Sequence, residues 1–138
     1  MKVYIAAPFF NEEQVAIVQS VEDKLISLDI DFFSPRSEGV LKDMTKEQQQ
    51  KSKRKIFDSN IKNMNECSHM IACAEHKDSG TIFEMGYFRA QKKPIIIYIE
   101  KIKLLNVMLA ESAFSVCTDI EYLYHCIHNS YKPEIPLT

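Results

Sequence analysis

Several common devices are missing from this chain, and each absence closes off a class of function. Its four cysteines, Cys67, Cys73, Cys117 and Cys126, form no CxxC pair. They read as free core thiols of a reducing compartment, with Cys67 and Cys73 flanking a predicted buried strand. His125-Cys126-x-His128 is the nearest thing to a metal fragment, but no second ligand pair answers it, so no metal is expected. No apolar run approaches membrane-spanning length, and Met1-Lys2 leads straight into a strand rather than a signal peptide. A soluble, cytoplasmic protein with no membrane partner is expected. GxGxxG and GxxxxGK[ST] are both absent, so neither a dinucleotide site nor a P-loop is supported, and no cofactor is called for. The formal charge is −2 and no basic face stands out, which argues against nucleic acid as a partner. The densest basic run, Lys51 to Lys55, follows a polar stretch and reads as a solvated helix face.

What is present is an ordinary globular composition, 46% apolar and 26% charged over 138 residues, enough for one domain over 1–138. Lys2 to Pro8 reads as a buried strand stopped by proline. Asn11, followed by Glu12 and Glu13, opens a helix with apolar residues near a 3.6-residue period through Leu28. Ile30 to Phe33 is a second short strand, and Ser34 to Gly39 breaks regular structure. Thr45 to Asn65 is a long polar helix whose inward stripe is Ile56, Phe57, Ile61 and Met64. His69 to Ala74 is a third strand, continuous enough in apolar character to be covered on both faces. Pro94 to Ile99 is the fourth strand and Ala113 to Cys117 the fifth. Leu104 to Ala110 is a short helix, and Thr118 or Asp119 caps a last one. Alternation of strands and helices predicts a three-layer α/β fold of flavodoxin-like (Rossmann-like) type, a doubly wound parallel five-stranded sheet.

Between the third and fourth strands lies the most informative stretch, Asp78-Ser79-Gly80-Thr81-Ile82-Phe83-Glu84-Met85-Gly86. It joins a strand exit to a helix start, the edge at which open parallel sheets bind ligands. Two acids stand six residues apart in it, with glycines either side of Glu84 where a ligand can approach the backbone. Thr81-x-x-Glu84 also fits a capping box, in which Glu84 only satisfies a free amide; Asp78 or Ser79 can cap as well.

Four pieces in order resemble the nucleoside 2-deoxyribosyltransferases. Tyr4-Ile5-Ala6-Ala7-Pro8-Phe9 looks like their first-strand motif, and Asp78-x-Gly80-x-x-x-Glu84-x-Gly86-Tyr87-x-x-Ala90 is similar to their catalytic segment. Asp58, twenty residues before Asp78, falls where the family has an aspartate. Asn106-x-Met108 matches the motif that a neighbouring subunit lends to the site. The resemblance covers Lys2 to Met108; Ala7-Pro8 and the loop from Arg36 to Met44 depart from it.

The resemblance implies an enzyme, a pentosyltransferase of nucleotide salvage, that moves 2-deoxyribose from a 2′-deoxynucleoside to a free nucleobase. Glu84 is then the nucleophile that forms a deoxyribosyl ester, by the logic of retaining glycosidases. Tyr4 holds Glu84. Asp58 helps protonate the leaving base. Asp78 and Asn106 of a neighbouring subunit bind the 5′-hydroxyl, Met108 packs nearby, and Gly80 and Phe9 join the substrate site. A homo-oligomer, dimer or higher, with shared active sites follows. Each residue also has an ordinary reading: Tyr4 as a half-buried aromatic, Asp58 as a surface acid paired with Arg54 or Lys62, Asn106 as a helix cap, Met108 as core. Hydrolysis of deoxynucleosides or of their 5′-monophosphates, and non-catalytic nucleotide sensing, are the alternatives. An aspartate at 78 favours a free hydroxyl over a phosphate, although Arg36 is a possible phosphate partner.

Overall fold

The structure, a computed structural model, describes residues 1–38, 43–75, 77–101 and 104–138. The loop from Arg36 to Met44 therefore lies partly outside the described residues, as does His76. Five parallel strands form one sheet in the order β2-β1-β3-β4-β5. They are β1 (Lys2–Ala6), β2 (Asp31–Phe33), β3 (His69–Cys73), β4 (Ile95–Tyr98) and β5 (Ser115–Cys117). Register runs Tyr4↔Phe33 on one side of β1 and Tyr4↔Met70 on the other. The helices are α1 (Glu12–Ser27), α2 (Lys46–Glu66), α3 (Ser79–Ala90), α4 (Val107–Ser112) and α5 (Leu123–His128). The expected doubly wound α/β architecture is the one observed.

Strand alternation sorts the core into two layers. Val3 and Ile5 point to one face, where they meet Val18, Val21 and Leu25 of α1 and Leu123 and Ile127 of α5. Tyr4 and Ala6 point to the other, with Met64 of α2 and Met85 and Phe88 of α3. Burying each such side chain fully contributes about 1.5–3 kcal/mol, so a one-residue slip of β1 would forfeit several at once. All four cysteines are free and buried, as expected of core thiols.

Helix ends follow the local chemistry. Asn11 caps α1, its side chain accepting from the Gln14 amide at 2.8 Å. Thr45 and Gln48 form a reciprocal capping box at the start of α2. At the other end of α2, Lys93 Nζ donates to the carbonyls of Met64 and Cys67 at 2.7 and 2.8 Å, a cation placed on the negative helix end. The last helix is divided: Asp119 caps a short turn over Ile120–Tyr122, and α5 continues from Leu123.

The strand order reverses between β1 and β3, so the loops leaving these two neighbours diverge to opposite faces and open a crevice at their carboxyl ends. Into that crevice run Ala7 to Phe10 from β1 and Asp78 with the start of α3 from β3. Among the described residues, no helix is long and apolar enough to cross a membrane.

Candidate active site

Glu84 decides how the crevice is read. Thr81, Met85 and Phe88 form the buried stripe of α3, and Glu84 lies one turn from both Thr81 and Phe88 along that inward side. Its carboxylate does not fold back onto the first amides of the helix. Oε2 instead accepts a hydrogen bond from the Tyr4 hydroxyl, a contact between residues eighty positions apart. The capping that Glu84 might have done falls to Asp78, whose Oδ2 accepts from the Thr81 amide and the Thr81 hydroxyl, both at 2.8 Å. A side chain at position 80 would bring its Cβ to 3.3 Å from that same oxygen, so glycine there leaves the Asp78 carboxylate its place. Gly86 differs: a Cβ there meets nothing within 4 Å. The expected role of the second glycine in close ligand approach thus finds no crowding to explain it.

The electrostatics suit a nucleophile. Burial is the largest influence on Glu84 and raises its proton affinity; the Tyr4 hydrogen bond opposes this, and the Asp78 charge adds to it, leaving the carboxyl at about 7. Tyr4 is pushed up from its ordinary value, chiefly by burial and then by the Glu84 charge, so its hydroxyl stays a donor throughout the physiological range.

In front of Glu84 lies a hollow of about 350 Å³, the lower end of the size range for small-molecule sites. Ala7, Phe9 and Phe10 form the β1 side, Pro35 and Glu38 the β2 side. Asp78, Gly80, Phe83 and Glu84 form the α3 wall. The α2 wall is Lys53, Ile56, Phe57, Asn60, Ile61 and Met64. Two acids on the α3 wall and aromatic rings on the β1, α2 and α3 walls suit a ligand with a polar hydroxylated end and a flat apolar end. Among the described residues, no group of three or more His, Cys, Asp or Glu is placed to hold a metal ion.

Residues 3–130 match the family model described as nucleoside 2-deoxyribosyltransferase. The chain belongs to that family. Of solved structures, a 2-deoxyribosyltransferase from the psychrotolerant bacterium Bacillus psychrosaccharolyticus superposes with a TM-score of 0.85 at 22% identity, covering 97% of this chain and all of that one (100%). A conserved protein of Enterococcus faecalis superposes with a TM-score of 0.63 at 15% identity, covering 100% of this chain and 81% of that one. No curated protein matches by sequence. At these identities the superpositions speak for the fold.

Within this deoxyribosyltransferase-family chain, Tyr4, Glu84, Asp78, Gly80 and Phe9 converge on one place. Asp58 does not join them. Its side chain is 63% exposed and pairs with Arg54 at 3.7 Å, one turn away on α2. The physical reason is helical phase. Phe57, Asn60, Ile61 and Met64 make the i, i+3, i+4, i+7 stripe that faces the hollow, and residue 58 is rotated about 100° from 57. Asn106 and Met108 also stand outside this chain's own hollow. Asn106 caps α4, accepting from the Met108 amide at 2.8 Å, and Met108 is 74% exposed. Arg36, considered above as a phosphate partner, is held by Glu22 and Gln19 and does not line the hollow.

Asn60 was not singled out in the sequence. A signal for it existed: it is the polar interruption in the stripe Ile56, Phe57, Ile61, Met64. That stripe was expected to face the core, whereas only Met64 is buried and the rest borders the hollow.

Proposed function

We propose that this protein transfers 2-deoxyribose from a 2′-deoxynucleoside to a free nucleobase by two displacements through a deoxyribosyl ester of Glu84. The observation that carries the reading is the Glu84 carboxylate held by Tyr4 at the wall of a hollow, instead of spent on its own helix. In the first displacement a Glu84 oxygen bonds to C1′ as the C1′–N bond breaks and its electron pair leaves with the base. In the second, a ring nitrogen of another base attacks C1′ from the opposite side and Glu84 departs. Two inversions give net retention. The anionic carboxylate stabilises the oxocarbenium character of both transition states.

Asp78 receives the 5′-hydroxyl. One of its oxygens is engaged by Thr81, and a negative carboxylate accepts from a hydroxyl but repels a phosphate dianion. With Arg36 committed to Glu22, nucleosides fit better than 5′-monophosphates. A second copy completes the site with its own Asn106 and Met108. Supporting this are Ile82 and Phe83 on α3 and Val107 and Met108 on α4, large apolar side chains left exposed on the single chain.

The test is intact-protein mass spectrometry after brief exposure to a 2-fluoro-2-deoxynucleoside, followed by peptide mapping. A single sugar adduct on Glu84 is expected; an adduct elsewhere would overturn the assignment. Incubation with deoxyinosine, with and without adenine, then separates activities. New deoxyadenosine marks transfer, hypoxanthine alone marks hydrolysis, and no change at all leaves only binding.

A further inference from the structure

The α2 wall of the hollow holds no acid aimed at the ligand. Asp58 faces solvent with Arg54. At the centre of the stripe that borders the hollow stands Asn60, half-buried between Phe57 and Ile61. Among the described residues its amide has no hydrogen-bond partner, although neighbouring polar side chains of the same helix, such as Asn63, do. A half-buried amide that borders the hollow has its donor and acceptor open to whatever enters it. Asp78 caps α3 and Glu84 lies on it, which assigns the sugar to that wall and leaves the α2 wall, with Phe57 and the facing Phe9, to the base.

We propose that the Asn60 side-chain amide binds the departing nucleobase, donating a hydrogen bond to a ring nitrogen as electron density builds there, and that helix α2 supplies no proton. This rests on the sugar-transfer reading above. As the Glu84–C1′ bond forms, the electron pair of the C1′–N bond passes into the base ring. The base takes its proton from water, and the incoming base returns one to water in the second displacement. An amide does not titrate near neutral pH, so its help is a hydrogen bond alone. The titratable groups facing Asn60 from every side of the hollow are Glu38, Lys53 on its own helix, and Asp78 and Glu84 from α3; the β1 side brings only Ala7, Phe9 and Phe10. Glu38 and Lys53 are exposed.

The experiment measures kcat/KM against pH, from about 5 to about 9, for wild type, Asn60→Ala and Asn60→Asp. Two substrates are used: whichever of deoxyadenosine, deoxyinosine, deoxycytidine and thymidine the wild type uses best, and 7-methyl-2′-deoxyguanosine. The latter's cationic base leaves neutral and has no free N7 lone pair to be stabilised. Asn60→Ala is expected to lose on the order of 10- to 100-fold on the natural substrate and to stay within about two-fold on the methylated one. Wild type should rise to a plateau with no falling limb. Asn60→Asp should acquire a falling limb, because an acid now faces the base and must keep its proton to help. A general disturbance of α2 would lower both substrates equally and would leave the profile's shape unchanged; that result overturns the assignment. So does undiminished activity of Asn60→Ala on the natural substrate, or a falling limb already in wild type. If wild type cleaves neither substrate, the sugar-transfer reading fails first and this one with it.

Discussion

Replacing Glu84 by glutamine should abolish sugar transfer and at the same time stabilise the protein at alkaline pH. The magnitude comes from the cost of ionising a buried carboxyl. Glu84 is raised from an ordinary 4.5 to about 7, first by burial and then by Asp78, against the Tyr4 hydrogen bond. At 1.36 kcal/mol per pH unit, that interval is on the order of 3 kcal/mol. The sign follows from proton binding. Between the two values the folded protein holds a proton that the unfolded chain has released, so stability falls as pH rises through this window. Below about 4.5 the contribution is intact; above about 7 it is gone. Glutamine keeps the shape and still accepts from the Tyr4 hydroxyl, but never ionises. The variant should therefore match wild type near about pH 5 and exceed it by roughly 1–3 kcal/mol near about pH 8.5, or several degrees in Tm. Urea or thermal unfolding of the pair at both pH values reads this directly, other groups cancelling in the difference. A stability difference that does not change with pH would refute the claim that this carboxyl is forced to ionise at a cost in the folded state.

Three further substitutions test the same site. Tyr4→Phe removes the bond that lowers the proton affinity of Glu84, so the rising limb of the rate profile should move to higher pH, with activity near neutrality falling about ten-fold or more and partly recovering in alkali; a limb that moves down contradicts the assigned roles. Asp78→Ala acts with the opposite sign, because the charge that raises Glu84 is removed and the limb should shift to lower pH; loss of the α3 cap should cost about 1 kcal/mol in unfolding, and KM for a deoxynucleoside should rise. Gly86→Ala should be stabilising by about 0.5–1 kcal/mol, since a Cβ there meets open space in a helix interior. Its activity should be unchanged; a large loss would reveal a need for close backbone approach that the geometry does not contain.

Much of this molecule is local in origin. Each strand is a short, largely apolar run, and α1 to α4 each carry a side-chain cap of their own. Asn11, Thr45 and Asp78 announce helix starts wherever they stand, because capping needs only the next three residues. The alternation of those elements leaves little choice of architecture, as right-handed crossovers make a parallel sheet covered on both faces. The spacing of Asp78, Gly80 and Glu84 was likewise readable along the chain.

Whether Glu84 caps its own helix or faces a hollow was not readable there, because both use the same residue at the same spacing. Only register separates them: β1 beside β3, in the phase that turns Tyr4 toward α3, supplies a distant hydroxyl and leaves Asp78 to cap. The same holds for α2, where a separation of twenty positions pointed to Asp58 but helical phase turned Asn60 inward. Linear distance fixes neither the direction in which a helix rotates a side chain nor the wall that will face it. Residue types and their order thus settle the elements and the candidates, while the packing of β1, α2 and α3 around one crevice decides which candidates border it, since that depends on contacts between segments far apart in the chain.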